Sequence, residues 1–122
     1  MKLKKIAGVF SLCKLDPCSK IDLEGDFLFV GKTDEELSLV CPSELVPDSV
    51  FCQDDGWKAF RIEGVLDFSL IGILSGITTI LAGEKIGIFA ISTYNTDYIL
   101  VKENDYERAL HALAECGYDI IP

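Results

Sequence analysis

The chain contains a single histidine, His111, and no CxxC pair among its scattered cysteines, so structural zinc is not expected. Its five cysteines, Cys13, Cys18, Cys41, Cys52 and Cys116, are odd in number and scattered. That pattern points to small buried or half-buried thiols in a reducing compartment, not to a disulfide framework. Basic residues are scarce as well: 11 Lys+Arg against 20 Asp+Glu give a formal net charge of -9. A surface of that sign repels phosphate backbones and anionic lipid, which argues against nucleic acid and membranes as partners. Long apolar runs are lacking too. The most hydrophobic segment, residues 65–82, carries Asp67, Ser69, Ser75, Thr78 and Thr79, too polar and too short for a membrane span. The opening MKLKKIAGVF has the basic start of a secretion signal, yet Ser11, Cys13 and Lys14 interrupt its apolar run and no small-residue cleavage site follows. A mature cytoplasmic N-terminus is expected.

Catalytic signatures are equally thin. A nucleophile needs a base within reach, and His111 lies off the apolar stripe of its helix, where solvent exposure is expected. Asp54-Asp55 and Glu35-Glu36 read as solvated loop charges, not as an acid/base pair. No P-loop or dinucleotide fingerprint occurs. The chain therefore reads as a non-enzyme with no cofactor.

What is present is a core. At 122 residues and 49% hydrophobic content there is enough apolar material for one compact domain or two small units. Residues 57–64 mix Trp57, Ala59 and Phe60 with charge in a strand-like way. Phe68, Ile71, Leu74, Ile77 and Leu81 then recur at spacings of three and four, which predicts a helix starting near Asp67 and stopped by Gly83. Gly72 and Gly76 would weaken that helix by roughly 1 kcal/mol each, which suggests a close backbone approach. Residues 86–91 and 98–101 predict two antiparallel strands around a polar knuckle. Asn104, with Glu107 three residues on, predicts a cap for a second helix striped by Tyr106, Ala109, Leu110 and Leu113 and ended by Gly117. A final strand follows at 118–121. The order β-α-β-β-α-β predicts an α+β, ferredoxin-like sandwich.

The first half repeats this less clearly, with strands at 5–15, 26–32 and 36–40 and only a loop or one turn at 17–23. Asp55-Gly56, in the acidic stretch 48–57, reads as a turn and marks the expected boundary. Two units are expected: 1–55, lacking a full first helix, and 56–122.

Two segments could hold a ligand. DFSLIG, residues 67–72, offers backbone N–H groups at a helix start, which suit a carboxylate. Asp97 and the hydroxyls and amide of Ser92, Thr93, Asn95 and Thr96 offer acceptors, which suit an ammonium. Together they match an amino acid's zwitterion. Equally, Asp67 or Ser69 can be a helix cap, Gly72 a packing contact and Asn95-Thr96 a plain turn.

Residues 57–118 closely resemble the ACT-domain proteins of a small bacterial tandem-ACT group related to the arginine-sensing CASTOR proteins. The resemblance rests on EG-x-LDFS-x-x-GIL, here Glu63 to Leu74, and on FA-x-STY-x-TDY-x-LVK, here Phe89 to Lys102. It extends more weakly to TDEELSLVCPSE, residues 33–44. The resemblance implies two tandem ACT-like units, the first degenerate, with an amino acid held at the interface between units. It implies ligand contacts at Asp67, Phe68, Ser69, Leu70, Ile71, Gly72 and Ile73 and at Ser92, Thr93, Tyr94, Asn95, Thr96 and Asp97. Thr33, Glu36, Ser38 and Val40 are further candidates from the first unit. The implied function is a cytoplasmic, allosteric sensor of a free amino acid or similar small zwitterion, with a homodimer or a separate regulated enzyme as protein partner. The alternative is a structural or interaction module that dimerises without ligand.

Overall fold

The computed structural model describes residues 1–67 and 70–122; Phe68 and Ser69, both candidate site residues, lie outside the described residues. Seven strands and two α-helices follow the order β1 (Lys2–Leu15), β2 (Phe29–Lys32), β3 (Leu37–Pro42), β4 (Val50–Ile62), α1 (Ile73–Gly83), β5 (Ile88–Ser92), β6 (Asp97–Lys102), α2 (Glu103–Glu115) and β7 (Asp119–Ile121), with a short 3-10 turn at Ser43–Leu45. The chain divides into one compact unit of residues 1–7 and 58–122 and another of residues 8–57. β1 and β4 each contribute residues to both.

In the larger unit, β4, α1, β5, β6, α2 and β7 run in the expected β-α-β-β-α-β order. β6 lies between β4 and β5. The closing strand differs from expectation: β7 pairs in parallel with β1, Lys2 against Asp119 and Lys4 against Ile121, and it is β1 that neighbours β4. The start of the chain is therefore strand, and its Leu3 is fully buried. Period-2 burial on the strands meets period-3.6 burial on the helices in one core: Leu3, Phe60, Ile62, Ile99 and Val101 face Ile77 and Leu81 of α1 and Tyr106, Leu110 and Leu113 of α2. The Tyr106 hydroxyl donates to the Ala59 carbonyl at 2.8 Å, and burial pushes its pKa up to about 12.

Two helix boundaries depart from the sequence reading, both of them starts. α1 starts at Ile73, and its N-cap is Gly72 at φ 80°, a left-handed conformation open to glycine at no steric cost. Asp67 and Ile71 thus precede the helix. At the other end α1 finishes at Gly83, as expected, but the left-handed cap lies beyond it. Lys85, at φ 60°, takes the left-handed position, its N–H bonded to Ala82 O and the Ile86 N–H to Leu81 O, a Schellman cap built on lysine. The Arg108 guanidinium donates to Glu84 O at 2.6 Å and covers a further terminal carbonyl. α2 ends in the same motif with Gly117 at φ 100°. It begins at Glu103 with Lys102 as N-cap, so Asn104 is inside the first turn and caps nothing; Glu103 and Asp105 there complement the helix dipole. Gly76 does have a packing reason, because a Cβ at that position would lie 3.3 Å from the Tyr118 hydroxyl oxygen.

In the smaller unit β3 pairs antiparallel with β1, Phe10 against Pro42 through Leu15 against Leu37, and with β2, Phe29 against Val40. Cys13, Leu15, Leu37, Leu39 and Cys41 alternate inward, and Ile21, Leu28, Val46 and Val50 pack over them. Residues 16–28 link β1 to β2 without a helix, and the 3-10 turn lies between β3 and β4. Asp55-Gly56 is not a turn: both residues lie within β4, where Asp55 accepts from the buried Ser11 hydroxyl at 2.5 Å. Burial, with the neighbouring Cys13 thiol, raises the Cys41 thiol to about 11, far from a reactive thiolate.

Candidate functional site

The β5–β6 hairpin closes on the Ser92–Asp97 pair, so its loop is only Thr93 to Thr96. Thr93, Asn95 and Thr96 of this loop serve the fold. Thr93 donates to the Thr96 carbonyl through both its backbone N–H, at 2.8 Å, and its hydroxyl, at 2.9 Å. Thr96 is 7% exposed, and its hydroxyl donates to the Ile62 carbonyl at 2.8 Å, anchoring the hairpin to the end of β4. The Leu66 N–H donates to the Asn95 carbonyl at 2.7 Å, and the Leu70 N–H to the Asp67 carbonyl at 2.9 Å. The Leu66 bond holds the segment before α1 against the hairpin, while the Leu70 bond is internal to that segment.

Between them lies an open cleft of about 320 Å³, within the size range of small-molecule sites. One wall is Leu66, Asp67, Leu70 and the first turn of α1, Gly72 to Ser75; the other is the hairpin from Ser92 to Asp97. The first intrahelical bond of α1 is Gly76 N–H to Gly72 O, so the preceding N–H groups of residues 73–75 belong to the helix end at the cleft. That end carries partial positive charge. Opposite it, Asp97 accepts the Ser92 hydroxyl on Oδ1 at 2.6 Å. Asp67 and Asp97 are charged lining residues, and no Lys, Arg or His lines the cleft.

The structure thus brings together most of the residues singled out in the sequence: Asp67, Leu70, Gly72 and Ile73 on one wall and Ser92, Thr93, Tyr94, Asn95, Thr96 and Asp97 on the other. Ile71 is the exception, 93% exposed and off the wall. Leu66, Leu74 and Ser75 line the cleft without having been singled out; Leu74 and Ser75 could have been found by placing the N-cap at Gly72. The first-unit candidates have local roles. The Thr33 hydroxyl accepts the N–H groups of Glu35 and Glu36, closing the β2–β3 turn, and Val40 is buried. His111 is exposed, and its Nε2 lies 3.0 Å from Glu115 Oε1 one turn on. Among the described residues no cluster of three His, Cys, Asp or Glu could hold a metal, and no helix is long and apolar enough to cross a membrane.

Comparison with known proteins gives the chain a family. Residues 53–115 match the ACT domain family. The putative protein CASTOR3P of Homo sapiens is 29% identical over 119 residues, spanning 92% of this chain and 70% of that protein. The crystal structure of protein Atu0741 from Agobacterium tumefaciens superposes with a TM-score of 0.87 at 33% identity, covering 98% of this chain and 91% of that one. An aspartate kinase from Clostridium acetobutylicum shares the fold at a TM-score of 0.65 and 16% identity, over 91% of this chain but 33% of the kinase chain. With more than half of its residues in the family match, the chain belongs to the ACT-domain family and is a relative of the CASTOR proteins.

Proposed function

We propose that the chain is a non-catalytic regulatory module that binds a free amino acid or similar small zwitterion in the cleft between residues 66–75 and 92–97. Family membership points to regulatory small-molecule binding in general, and the observation that carries the finer reading is the polarity of the two walls. The α1 N-terminus suits a carboxylate, and Asp97 across the cleft suits an ammonium. With Asp67 and Asp97 on the walls and no basic side chain, acidic amino acids are disfavoured. In this reading the unit of residues 58–122, completed by residues 1–7, is the C-terminal ACT domain. The unit of residues 8–57, with a loop after its first strand and a 3-10 turn after its third, is its degenerate counterpart. A further ACT unit closes the open side of the cleft, and occupancy shifts a dimer or enzyme-binding equilibrium to the extent that the ligand binds the two states unequally.

Thermal-shift screening against the twenty amino acids tests this. A ligand at 100 times its Kd stabilises the fold by about 2.7 kcal/mol. If no amino acid raises the melting point and none accompanies the purified protein, the sensor reading is lost. The rival, a ligand-free interaction module, is favoured by one observation: Val65, Leu70, Ile71 and Tyr94 are large apolar or aromatic residues left exposed near this cleft. Under that reading Ile71→Glu dissociates a dimer that no amino acid stabilises. Under the first, amino-acid binding and self-association respond together.

A further inference from the structure

The smaller unit holds a second cavity, of about 390 Å³, that shares no lining residue with the cleft above. Residues 16–28 form no helix, and from that segment Ile21 and Leu28 pack against the cluster that includes Leu39. The walls are apolar, formed by Ile21, Leu28, Leu39, Leu45 and Pro47. Leu39 is 2% exposed at the base, while Leu45 stays 51% exposed, an apolar surface with water on one side. Gly25 keeps the space open, since a Cβ there would sit 3.4 Å from Leu45 Cδ1 and 3.6 Å from Leu28 Cγ. The polar residues at this cavity are Lys20, Asp22 and Glu24, and Asp22 Oδ1 accepts the Glu24 N–H at 3.0 Å. Their side chains sum to one negative charge, on a chain whose formal net charge is -9.

From these walls and this rim we infer that the cavity is a second small-molecule site, taking an amphiphile with a compact apolar body and one ammonium group. The body replaces water against Leu28, Leu39 and Leu45, and the cationic end stays at the mouth beside Asp22 and Glu24. An anion of the same shape meets two carboxylates against the single ammonium of Lys20.

An NMR titration of the full-length, 15N-labelled chain tests this with three probes: phenethylamine, phenylacetate and ethylammonium. Phenethylamine is expected to give saturable shifts at residues 20–28, Leu39 and Leu45. Phenylacetate binds about tenfold or more weaker, and ethylammonium, lacking the body, does not saturate. Gly25→Val, whose backbone is not left-handed, fills the cavity and weakens phenethylamine about tenfold or more. Leu45→Gln, at a half-exposed position, decides the matter if Gly25→Val fails to fold. Absence of saturation by phenethylamine, equal binding of phenylacetate, unchanged affinity in the folded variant, or shifts confined to residues 66–75 and 92–97 each overturn the inference. Because the two sites share no residue, loss of one reading leaves the other standing.

Discussion

Asp97→Asn isolates the charge on which the amino-acid reading depends. The amide keeps the size of the side chain and can still accept the Ser92 hydroxyl through its oxygen, a bond of 2.6 Å in the native protein. What it loses is the charge opposite the α1 N-terminus. Hydrogen bonds to a charged group contribute about 1.5–3 kcal/mol, and each 1.4 kcal/mol is about a factor of ten, so affinity for the amino acid should fall about 10- to 150-fold. Stability should change by no more than about 0.5 kcal/mol, because Asp97 ends the hairpin ladder and is only half-buried. Isothermal titration with the amino acid that gives the largest thermal shift measures the loss. The decisive control is the deaminated analogue of that ligand. Wild type should lose a comparable factor on going from the amino acid to the analogue, whereas Asp97→Asn should bind the two almost equally, the signature of a coupled pair. If both proteins discriminate the two ligands by the same ratio, Asp97 is not the ammonium partner and the zwitterion model is refuted.

Three further predictions concern the frame around the cleft. Thr96→Val keeps the shape but leaves the Ile62 carbonyl without its 2.8 Å donor, so chemical denaturation should show a loss of about 1–3 kcal/mol; an unchanged midpoint would mean that water replaces the hydroxyl. Lys85→Gly should raise stability by about 1 kcal/mol, since α1 closes its cap with a lysine at φ 60° where α2 uses Gly117; destabilisation would show that the lysine side chain contributes more than its backbone costs. Burial holds the Tyr106 phenol and the Cys41 thiol protonated in the native state, to about 12 and about 11, while in the unfolded chain they release protons near their ordinary values of 10.0 and 9.0. The native state then binds more protons than the unfolded one, so urea midpoints should fall as pH rises from about 9 to 12. Tyr106→Phe should flatten the upper part of that decline; an identical slope in the variant would assign it elsewhere.

Much of the fold is legible in local patterns because burial imposes a period on the sequence. Ile77 with Leu81, and Tyr106, Ala109, Leu110 and Leu113, announce the buried faces of α1 and α2, and the alternation through Leu37, Leu39 and Cys41 announces β3. Periodicity says where a face points but little about where an element ends. The stripe drawn through Phe68 and Ile71 overran the true start of α1, since Ile71 sits in a loop. Asp55-Gly56 has the composition of a turn, yet strand pairing and the Ser11 bond carry β4 straight through it.

Composition, hydrophobic spacing and two motifs by themselves determined an acidic α+β domain of the ACT type, and they pointed to residues 67–73 and 92–97 as one neighbourhood. Only the tertiary structure decided how the polar atoms in that neighbourhood are used. Thr96 looks like a ligand donor in sequence, but the Ile62 carbonyl, 34 residues earlier, claims its hydroxyl. Gly72 looks like a weak helix residue, but it stands at φ 80° as the N-cap of α1. Hydrogen bonds between distant segments leave no period in the chain. For that reason the residues at the cleft could be read from the sequence, but not which of them hold the fold and which remain to meet a ligand.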